Sequence, residues 1–576
     1  MKSILQFSTM VLLCLSLAPY HSLLGQRSGN STSTNLQPVS QTYAITGATI
    51  IQSPGKQLDQ GTILIKDGLI VSVGSDVDIP GEAQVIKVDS MYVYAGFIDG
   101  MSHTGIPKPK AASAQQTGNR SRGQSRSDSA NPPNKDAGIQ PEQDVKDVLD
   151  PKDGSIGALR KLGFTAAHVV PRGKMLPGTG SIILLTGNSP DEMVFRAQSS
   201  LFSQFVTASG VYPNTIMGIM AKWRDLYRQA ELARTHESSY AQKPAGMKRP
   251  AYDRVIQAFY PTINGDRPVF FKAEKALEAY RALALAEDLG FPIVLTGLQQ
   301  GWDLTSKLQS ANTPVFLSLD LPKAPKSSDK KKEKESDLSE IEKETMALTK
   351  RKAEAYKQSC SQAATFAQAG ISFGLSSEGA KVKDIPANLR TMIKHGLSEE
   401  AALAALTTNP AQMLGVSDVM GTVEVGKLAN LVISNNSYFA EKSNVRYVFV
   451  EGVMHEIEAP KPKKKSGAAP TAQAVGKWNY TVETPQGSSS GLIIIKGEDG
   501  NYSGTISNEM MGADQELSEV DVSGDELTFS FSFDNDGQTM SIQVTGTIED
   551  TDMEGVMELG GFGEAPFEAQ RTGDPE

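Results

Sequence analysis

From about residue 96 to residue 417, short apolar runs alternate with longer helical stretches, and this alternation restricts the fold more than any other feature. Pro268–Phe271 and Pro292–Leu295 are apolar runs of strand length, and the segment between them, Lys275–Leu289, has the apolar spacing of a helix. Alternation of this kind predicts a parallel sheet covered by helices. At 576 residues, the chain has room for further domains on either side.

Two segments interrupt the alternation. Residues 107–150 are rich in Ser, Gln, Pro and Gly, and residues 323–352 are dense in Lys and Glu. Their composition predicts inserted disordered loops, the second of them partly helical with its charges in solvent.

The flanking regions have the pattern of β structure. Residues 41–95 contain short strands separated by turns such as Asp67-Gly68, which predicts a small β domain. A linker rich in Lys, Pro and Ala covers residues 458–474. After it, residues 475–576 contain strand-length runs separated by hairpin turns, and they predict a separate antiparallel β-sandwich or barrel.

The N-terminus predicts export. Residues 1–25 contain a lysine followed by a short apolar run, the pattern of a cleaved secretory signal, and no other run approaches the length of a membrane span. We therefore expect a periplasmic or secreted protein without a membrane span. Cys360 alone remains after cleavage, so no disulfide framework is expected. The net charge of −10 argues against a nucleic-acid partner.

Three motifs follow one another along the chain. Val93–His103 reads VYAGFIDGMSH, Thr407–Gly415 reads TTNPAQMLG, and Gly421–Val432 reads GTVEVGKLANLV. Together they resemble the strand-one motif and the C-terminal signatures of the amidohydrolase superfamily, in its imidazolonepropionase-like branch. The resemblance extends from about residue 43 to residue 455 and does not cover the tail.

The resemblance implies a fold of the α/β class. Residues 96–417 are expected to form a (β/α)8 TIM-type barrel, and residues 41–95 are expected to join residues 418–457 in a composite β-sandwich. Active sites of such barrels lie at the carboxyl ends of the strands.

The resemblance also implies a chemistry. The family hydrolyses carbon–nitrogen bonds other than ordinary peptide bonds, such as amides and cyclic amides. One or two divalent cations polarise the carbonyl group and activate water. The ligands are two histidines on strand one, a lysine or glutamate on strand four, a histidine on each of strands five and six, and an aspartate on strand eight that also acts as a base.

Most of these ligand positions carry other residues here. Met101 stands in place of the first strand-one histidine, Lys272 in place of the strand-five histidine, and Thr296 in place of the strand-six histidine. A thioether is a soft ligand that suits hard or borderline cations poorly. The strand-four ligand has no clear match. His168 is the remaining histidine nearest a barrel strand, and we expect it to be structural.

Three candidate ligands are left. His103 and Glu378 match family positions, with Glu378 as the candidate catalytic base, and Glu274 lies two residues after Lys272 on the same strand face. They predict, at most, a weakly held zinc-like divalent cation. Lys272 is close enough to pair with either carboxylate, so a salt-bridged pocket that binds no metal stably is the favoured prediction.

Two hypotheses of function follow. The first is an exported carbon–nitrogen hydrolase that acts on a small-molecule substrate, forms a homo-oligomer, and is catalytically impaired or inactive through the loss of its ligands. The second is a non-catalytic barrel that binds a ligand or assembles as a hetero-oligomer with an active homologue.

Overall fold

The computed structural model describes residues 42–108, 131–325 and 340–457 of the first part of the chain. In the tail it describes residues 474–484, 487–498, 501–508, 514–523, 526–535, 538–549, 551–558 and 564–574. The predicted signal at residues 1–25 and most of the predicted linker lie outside these ranges. Residue contacts divide the chain into two compact units, Met1–Ala459 and Pro460–Glu576.

The first unit contains a sheet built from both ends of its sequence. Its strands are β1 (Thr42–Ser53), β2 (Lys56–Lys66), β3 (Leu69–Gly74), β4 (Gln84–Lys87), β5 (Tyr92–Ala95), β14 (Leu431–Ser434), β15 (Val445–Val450) and β16 (Val453–Glu456). Strand β14 pairs antiparallel with β5, which joins the two segments. The predicted union of residues 41–95 with 418–457 is therefore present as one sheet, and its arrangement as a sandwich stays a prediction.

The second sheet of this unit is a nearly closed barrel of eight strands. They are β6 (Phe97–Ser102), β7 (Phe164–Val169), β8 (Gly178–Leu184), β9 (Val194–Gln204), β10 (Val269–Lys272), β11 (Ile293–Leu298), β12 (Val315–Ser318) and β13 (Phe373–Ser376). Neighbours in the chain are neighbours in the sheet, from β6 to β13.

Helices lie between and after these strands. They are α1 (Asn134–Ala137), α2 (Gly154–Lys161), α3 (Pro190–Met193), α4 (Ile216–Gln242), α5 (Arg254–Gln257), α6 (Tyr260–Ile263), α7 (Ala276–Leu289), α8 (Thr305–Ser310), α9 (Glu340–Gln368), α10 (Ile385–Lys394), α11 (Glu399–Leu406) and α12 (Thr408–Met413), with 3-10 turns at Val145–Asp147, Trp302–Leu304 and Val382–Asp384. Strand β10, helix α7 and strand β11 confirm the alternation predicted from the sequence.

One strand departs from the expected (β/α)8 pattern, which has parallel strands throughout. Strand β8 runs antiparallel to both β7 and β9. Only residues 170–177 connect β7 to β8, and only residues 185–193 connect β8 to β9. A parallel crossover needs about a dozen residues or more, so these connections are too short to return the chain in the same direction.

Aromatic rings fill the barrel interior below the carboxyl ends of the strands. Phe202, Phe270 and Phe316 are buried there, with Phe270 and Phe316 stacked at 6.0 Å between ring centroids. Gly100 leaves room for the Phe316 ring, since a Cβ atom at Gly100 would lie 1.9 Å from it. The barrel is therefore a packed core, and polar chemistry is confined to its mouth.

The predicted insertions are more ordered than their composition suggested. Within the first, residues 131–150 are described, and Ile139, Val145 and Leu149 are buried in the main core of the unit. Within the second, residues 340–352 form the first part of α9, which confirms its partly helical character. Apolar side chains spaced among polar ones gave the first segment enough burial to order it, which overall composition does not reveal.

The second unit is a single antiparallel sheet. Its strands are β17 (Gly476–Thr484), β18 (Gly487–Glu498), β19 (Asn501–Asn508), β20 (Gln515–Glu516), β21 (Ser518–Ser523), β22 (Glu526–Asn535), β23 (Gln538–Glu549), β24 (Asp552–Glu558) and β25 (Glu564–Gly573). The first strand, β17, pairs with the last, β25. Trp478, Tyr480, Phe529 and Phe531 are buried in its core. The predicted C-terminal antiparallel β domain is confirmed.

A search of the helices in the described ranges finds none that is long and apolar enough to span a membrane.

Candidate active site at the mouth of the barrel

A β-bulge near the end of β6 sets the direction of the side chains that follow it. Asp99 pairs with Ala167 and Ser102 with Val169, so three steps along β6 match two along β7. The extra residue turns Met101 into the barrel interior, where it is fully buried. His103 follows directly after the strand, at the mouth.

His103 is held as one tautomer. Its Nδ1 donates a hydrogen bond to the Val170 carbonyl oxygen at 2.8 Å, because a carbonyl can only accept. Burial, together with the positive charges of Arg172 and Lys272, lowers the pKa of His103 below its usual value, although the Val170 bond and Glu378 oppose this. The neutral ring then directs the lone pair of Nε2 into the mouth, 3.9 Å from Glu378 Oε1.

Lys272, the last residue of β10, joins two carboxylates. Its Nζ lies 2.9 Å from Glu378 Oε2 and 3.0 Å from Glu274 Oε1. Burial alone lowers the pKa of Lys272, but the charges and hydrogen bonds of Glu378 and Glu274 together outweigh it, so the pKa lies above its usual value. Lys272 is therefore a stable ammonium group. We call His103, Lys272, Glu274 and Glu378 the mouth cluster.

Two residues that the sequence analysis predicted at lost ligand positions contact each other. Thr296 on β11 donates a hydrogen bond from Oγ1 to Met101 Sδ at 3.1 Å, and both side chains are fully buried. Strand register places Thr296 level with Lys272. The hydroxyl and the thioether thus satisfy each other beneath the mouth cluster.

The last barrel strand is tied to the first by side chains. The Ser377 backbone N–H and Oγ donate to the two Asp99 carboxylate oxygens at 2.9 and 2.5 Å, and Ser376 Oγ donates to the Met101 carbonyl at 2.7 Å. Burial raises the pKa of Asp99 to about 6, and the bonds from Ser377 oppose that rise. These bonds place Glu378, the next residue, at the mouth.

The structure also places the strand-four position, which sequence reasoning could not assign. Strand β9 is fourth in the barrel order, and its last residue, Gln204, is level with Lys272. The Gln204 amide donates from Nε2 to the Gly173 carbonyl at 2.8 Å. The fourth barrel strand therefore ends in a buried amide.

His168 lies deeper, on β7. Its Nε2 is 2.9 Å from Ser200 Oγ, and its ring lies 4.1 Å from that of Phe270, centroid to centroid. Burial lowers the pKa of His168 to about 3, so the ring is neutral at physiological pH. Its surroundings are those of a packed interior side chain, as expected from the sequence.

Two charged residues at the mouth escaped the sequence analysis. Asp320 follows β12, and burial, then the charges of Glu274 and Glu378, raise the pKa of its carboxyl group. Arg172 donates from Nε to the Ile106 carbonyl at 3.1 Å, and its charge acts on His103. Asp320 and Arg172 could have been found from their positions directly after barrel strands β12 and β7, since polar residues at such positions reach the mouth.

Within the described ranges, no three His, Cys, Asp or Glu side chains converge closely enough to hold a metal ion. The structure brings together His103, Glu274 and Glu378, the candidate ligands, but places the Lys272 ammonium between the two carboxylates. The role of these three residues as metal ligands stays a prediction.

Comparison with known proteins finds similarity to amidohydrolases. An amidohydrolase family model matches residues 330–454. An amidohydrolase from Thermotoga maritima MSB8 has a similar structure, with a TM-score of 0.57 at 20% identity over 72% of this chain and 100% of its own. Molinate hydrolase gives a TM-score of 0.39 at 14% identity over 75% of this chain and 99% of its own. The ochratoxinase of A. niger gives a TM-score of 0.39 at 12% identity over 74% and 98% of the respective chains. No curated protein sequence matches.

The nearly closed barrel, with its charged side chains gathered at the carboxyl ends of the strands, defines a TIM-type barrel with an active-site-like mouth. Residues 330–454 thus match the amidohydrolase family, and the fold of the first unit is similar to that of a solved amidohydrolase.

Proposed function

We propose that this chain is an exported amidohydrolase-family protein in which metal-dependent hydrolysis of carbon–nitrogen bonds is impaired or lost. Membership of the family supports the reaction class, hydrolysis of amides or cyclic amides. The observation that supports impairment is the position of Lys272, whose Nζ lies 2.9 Å from Glu378 Oε2 and 3.0 Å from Glu274 Oε1.

The Lys272 ammonium opposes a cation at the mouth cluster. Two unit charges 4 Å apart interact by roughly 4 kcal/mol at an effective dielectric constant near 20, so an ammonium and a divalent ion at that separation would repel by roughly 8 kcal/mol. The carboxylates that would attract the ion are already paired with Lys272. The residues present therefore do not fit the family's cation.

The remaining positions supply few other donors. Met101 and Thr296 bond to each other, and Gln204 is bonded to a backbone carbonyl. Among the described residues, His103 is the one imidazole of the mouth cluster. Catalytic zinc usually has three protein ligands and an open position, and two of the three candidates here, Glu274 and Glu378, are already paired with Lys272.

Glu378 has a carboxylate like the family's catalytic base, but this carboxylate is not free to accept a proton. Its Oε2 is bonded to Lys272 and its Oε1 faces the neutral His103. A general base must be free to accept a proton from water. Without a cation to acidify that water, and with Glu378 Oε2 held by Lys272, we expect little or no hydrolysis.

Elemental analysis of the purified mature protein tests this proposal. The metal content is measured by inductively coupled plasma mass spectrometry after dialysis, and again after addition of zinc, manganese or iron. We expect substoichiometric metal in the wild-type protein. A variant with Met101→His, Lys272→His and Thr296→His restores the family's imidazoles and removes the ammonium, so we expect it to retain metal.

A matched control adds His103→Ala to that triple variant, which should then release its metal, while circular dichroism checks that each variant is folded. The proposal fails if the wild-type protein retains about one or two ions per chain and hydrolyses amides in a chelator-sensitive way. Loss of that metal in a His103→Ala and Glu378→Ala double variant would then establish these residues as ligands.

Export is the remaining part of the proposal. It rests on the signal-like residues 1–25, which lie outside the described residues. N-terminal sequencing of protein recovered from the cell envelope or medium tests it. A mature N-terminus near residue 26 supports export, and an intact N-terminus in the cytoplasm contradicts it. No observation on the described residues favours the alternative, a partner subunit of an active homologue.

A further inference from the structure

A second cavity adjoins the mouth, where the chain leaves β12. Its volume is about 400 Å³, within the range of pockets that hold small molecules. It lies between the end of β12, the loop after β11 and one side of helix α9. None of the mouth-cluster residues lines it.

One wall of the cavity is anionic. Asp320 lines it, and within the described residues its carboxylate forms no ion pair and accepts no hydrogen bond. Burial raises the pKa of Asp320, and the charges of Glu274, Glu378 and Asp384 raise it further. The charge of Lys381 opposes this rise, and Lys323 also lines the cavity. A cationic group bound at Asp320 would offset the neighbouring carboxylates and be stabilised.

Helix α9 contributes a cationic group to the lining, the exposed side chain of Lys352. Lys352 lines the cavity and forms no ion pair with any residue of the described ranges. Tyr356 and Ser359 lie one and two turns further along the same helix and also line the cavity, so hydroxyl groups accompany the ammonium. These groups suit a carboxylate.

Apolar side chains make up much of the remaining lining. They belong to Leu321, Pro322, Ala355 and Met392. The helix wall is held in place by the buried Gln362, whose Nε2 donates to the Leu298 carbonyl at 3.0 Å and whose Oε1 accepts from the Gly301 N–H at 2.6 Å. A cavity held in this way loses little freedom when a ligand binds.

We propose that this cavity binds a small zwitterion with an aliphatic body, an uncapped short peptide or amino acid, with its ammonium at Asp320 and its carboxylate at Lys352. Asp320 and Lys352, neither of which has an ion-pair partner among the described residues, and the apolar part of the lining carry the proposal. It is independent of the proposed loss of hydrolysis, because it needs no metal and no residue of the mouth cluster.

Isothermal titration calorimetry of the full chain tests the proposal with leucyl-leucine and three relatives, the N-acetylated, the C-amidated and the doubly capped peptide. Leucyl-leucine should bind. Each single cap removes one charge-assisted contact and should weaken binding by roughly tenfold or more, and the doubly capped peptide should bind most weakly.

Variants assign each end of the peptide. Asp320→Asn should bind the N-acetylated and the uncapped peptide with equal affinity and still bind the amidated peptide more weakly. Lys352→Met should bind the amidated and the uncapped peptide with equal affinity and still bind the N-acetylated peptide more weakly. Lys350→Met and Asp303→Asn change a neighbouring lysine and an exposed aspartate that do not line the cavity, and should bind all four peptides as the wild type does.

Equal affinity for capped and uncapped peptides, no binding of leucyl-leucine at millimolar concentration, or loss of both discriminations in either single variant would overturn the proposal. A folded state shown by circular dichroism for each variant excludes misfolding as the cause. The metal analysis of the mouth can succeed or fail independently of each of these results.

Discussion

Replacement of Asp99 by asparagine should change how the stability of the barrel depends on pH. Asparagine has the same shape and keeps both contacts, since Oδ1 can accept from the Ser377 N–H and Nδ2 can donate to Ser377 Oγ. The substitution therefore removes a buried charge while it leaves the link between β6 and β13 in place. What changes is the cost of ionising a carboxyl group that is fully buried.

The size of the effect follows from the pKa of Asp99, which burial raises from 3.8 to about 6. A carboxyl group with a raised pKa in the folded state favours the protonated form. Its contribution is fully favourable below the unfolded pKa, and it is lost as pH rises through the folded pKa. At about 1.36 kcal/mol per pKa unit, ionisation costs the folded wild type about 3 kcal/mol, reached between pH 4 and pH 7.

Urea unfolding followed by tryptophan fluorescence measures this cost, since Trp223 is buried in the barrel unit. The free energy of unfolding of Asp99→Asn, relative to wild type, should increase by about 3 kcal/mol from pH 4 to pH 7, so that the variant becomes the more stable protein. Ser377→Ala is a second control, and it should change the pH dependence of stability in the opposite direction. It removes a bond that lowers the pKa of Asp99, so the loss of stability should extend to higher pH. Parallel profiles for wild type and Asp99→Asn would refute the reasoning.

Three further substitutions test other contacts. Lys272→Met removes a positive charge that lowers the pKa of His103, so this pKa should rise in an NMR titration, and an unchanged value would contradict the assigned geometry. Met101→Ala should lower the free energy of unfolding by about 3 kcal/mol in urea, because it leaves a cavity in a packed interior, whereas Met101→Leu should cost under about 1.5 kcal/mol. Gln362→Ala should cost about 2 kcal/mol, since it leaves the Gly301 N–H and the Leu298 carbonyl without their partner, and no change in urea midpoint would count against that role.

Local patterns predicted much of the secondary structure. The apolar runs near residues 270 and 294 and the helical spacing between them correspond to β10, β11 and α7. These features depend on side-chain periodicity, which is visible along the chain. The antiparallel β8 was not predicted, because strand direction depends on how far the connecting residues can reach, and runs of apolar residues carry no direction.

The sequence predicted which residues belong to the candidate site, but not which of them contact one another. Motif positions assigned Met101, Lys272 and Thr296 to lost ligand positions. The bond between Thr296 and Met101, and the place of Gln204 level with Lys272, depend on barrel register and on the bulge in β6. Asp320 and Lys352 were not connected by any sequence pattern, since they meet at one cavity only through the packing of α9.

The sequence by itself determined the alternation of strands and helices, the motifs that resemble the family's and the residues predicted to replace the metal ligands, because these are properties of residue type and spacing. The tertiary structure alone decided that Lys272 lies between Glu274 and Glu378, that Asp99 joins the first barrel strand to the last, and that a charged cavity lies beside the mouth. Such electrostatic contacts depend on distances between atoms far apart in the chain, and folding sets those distances.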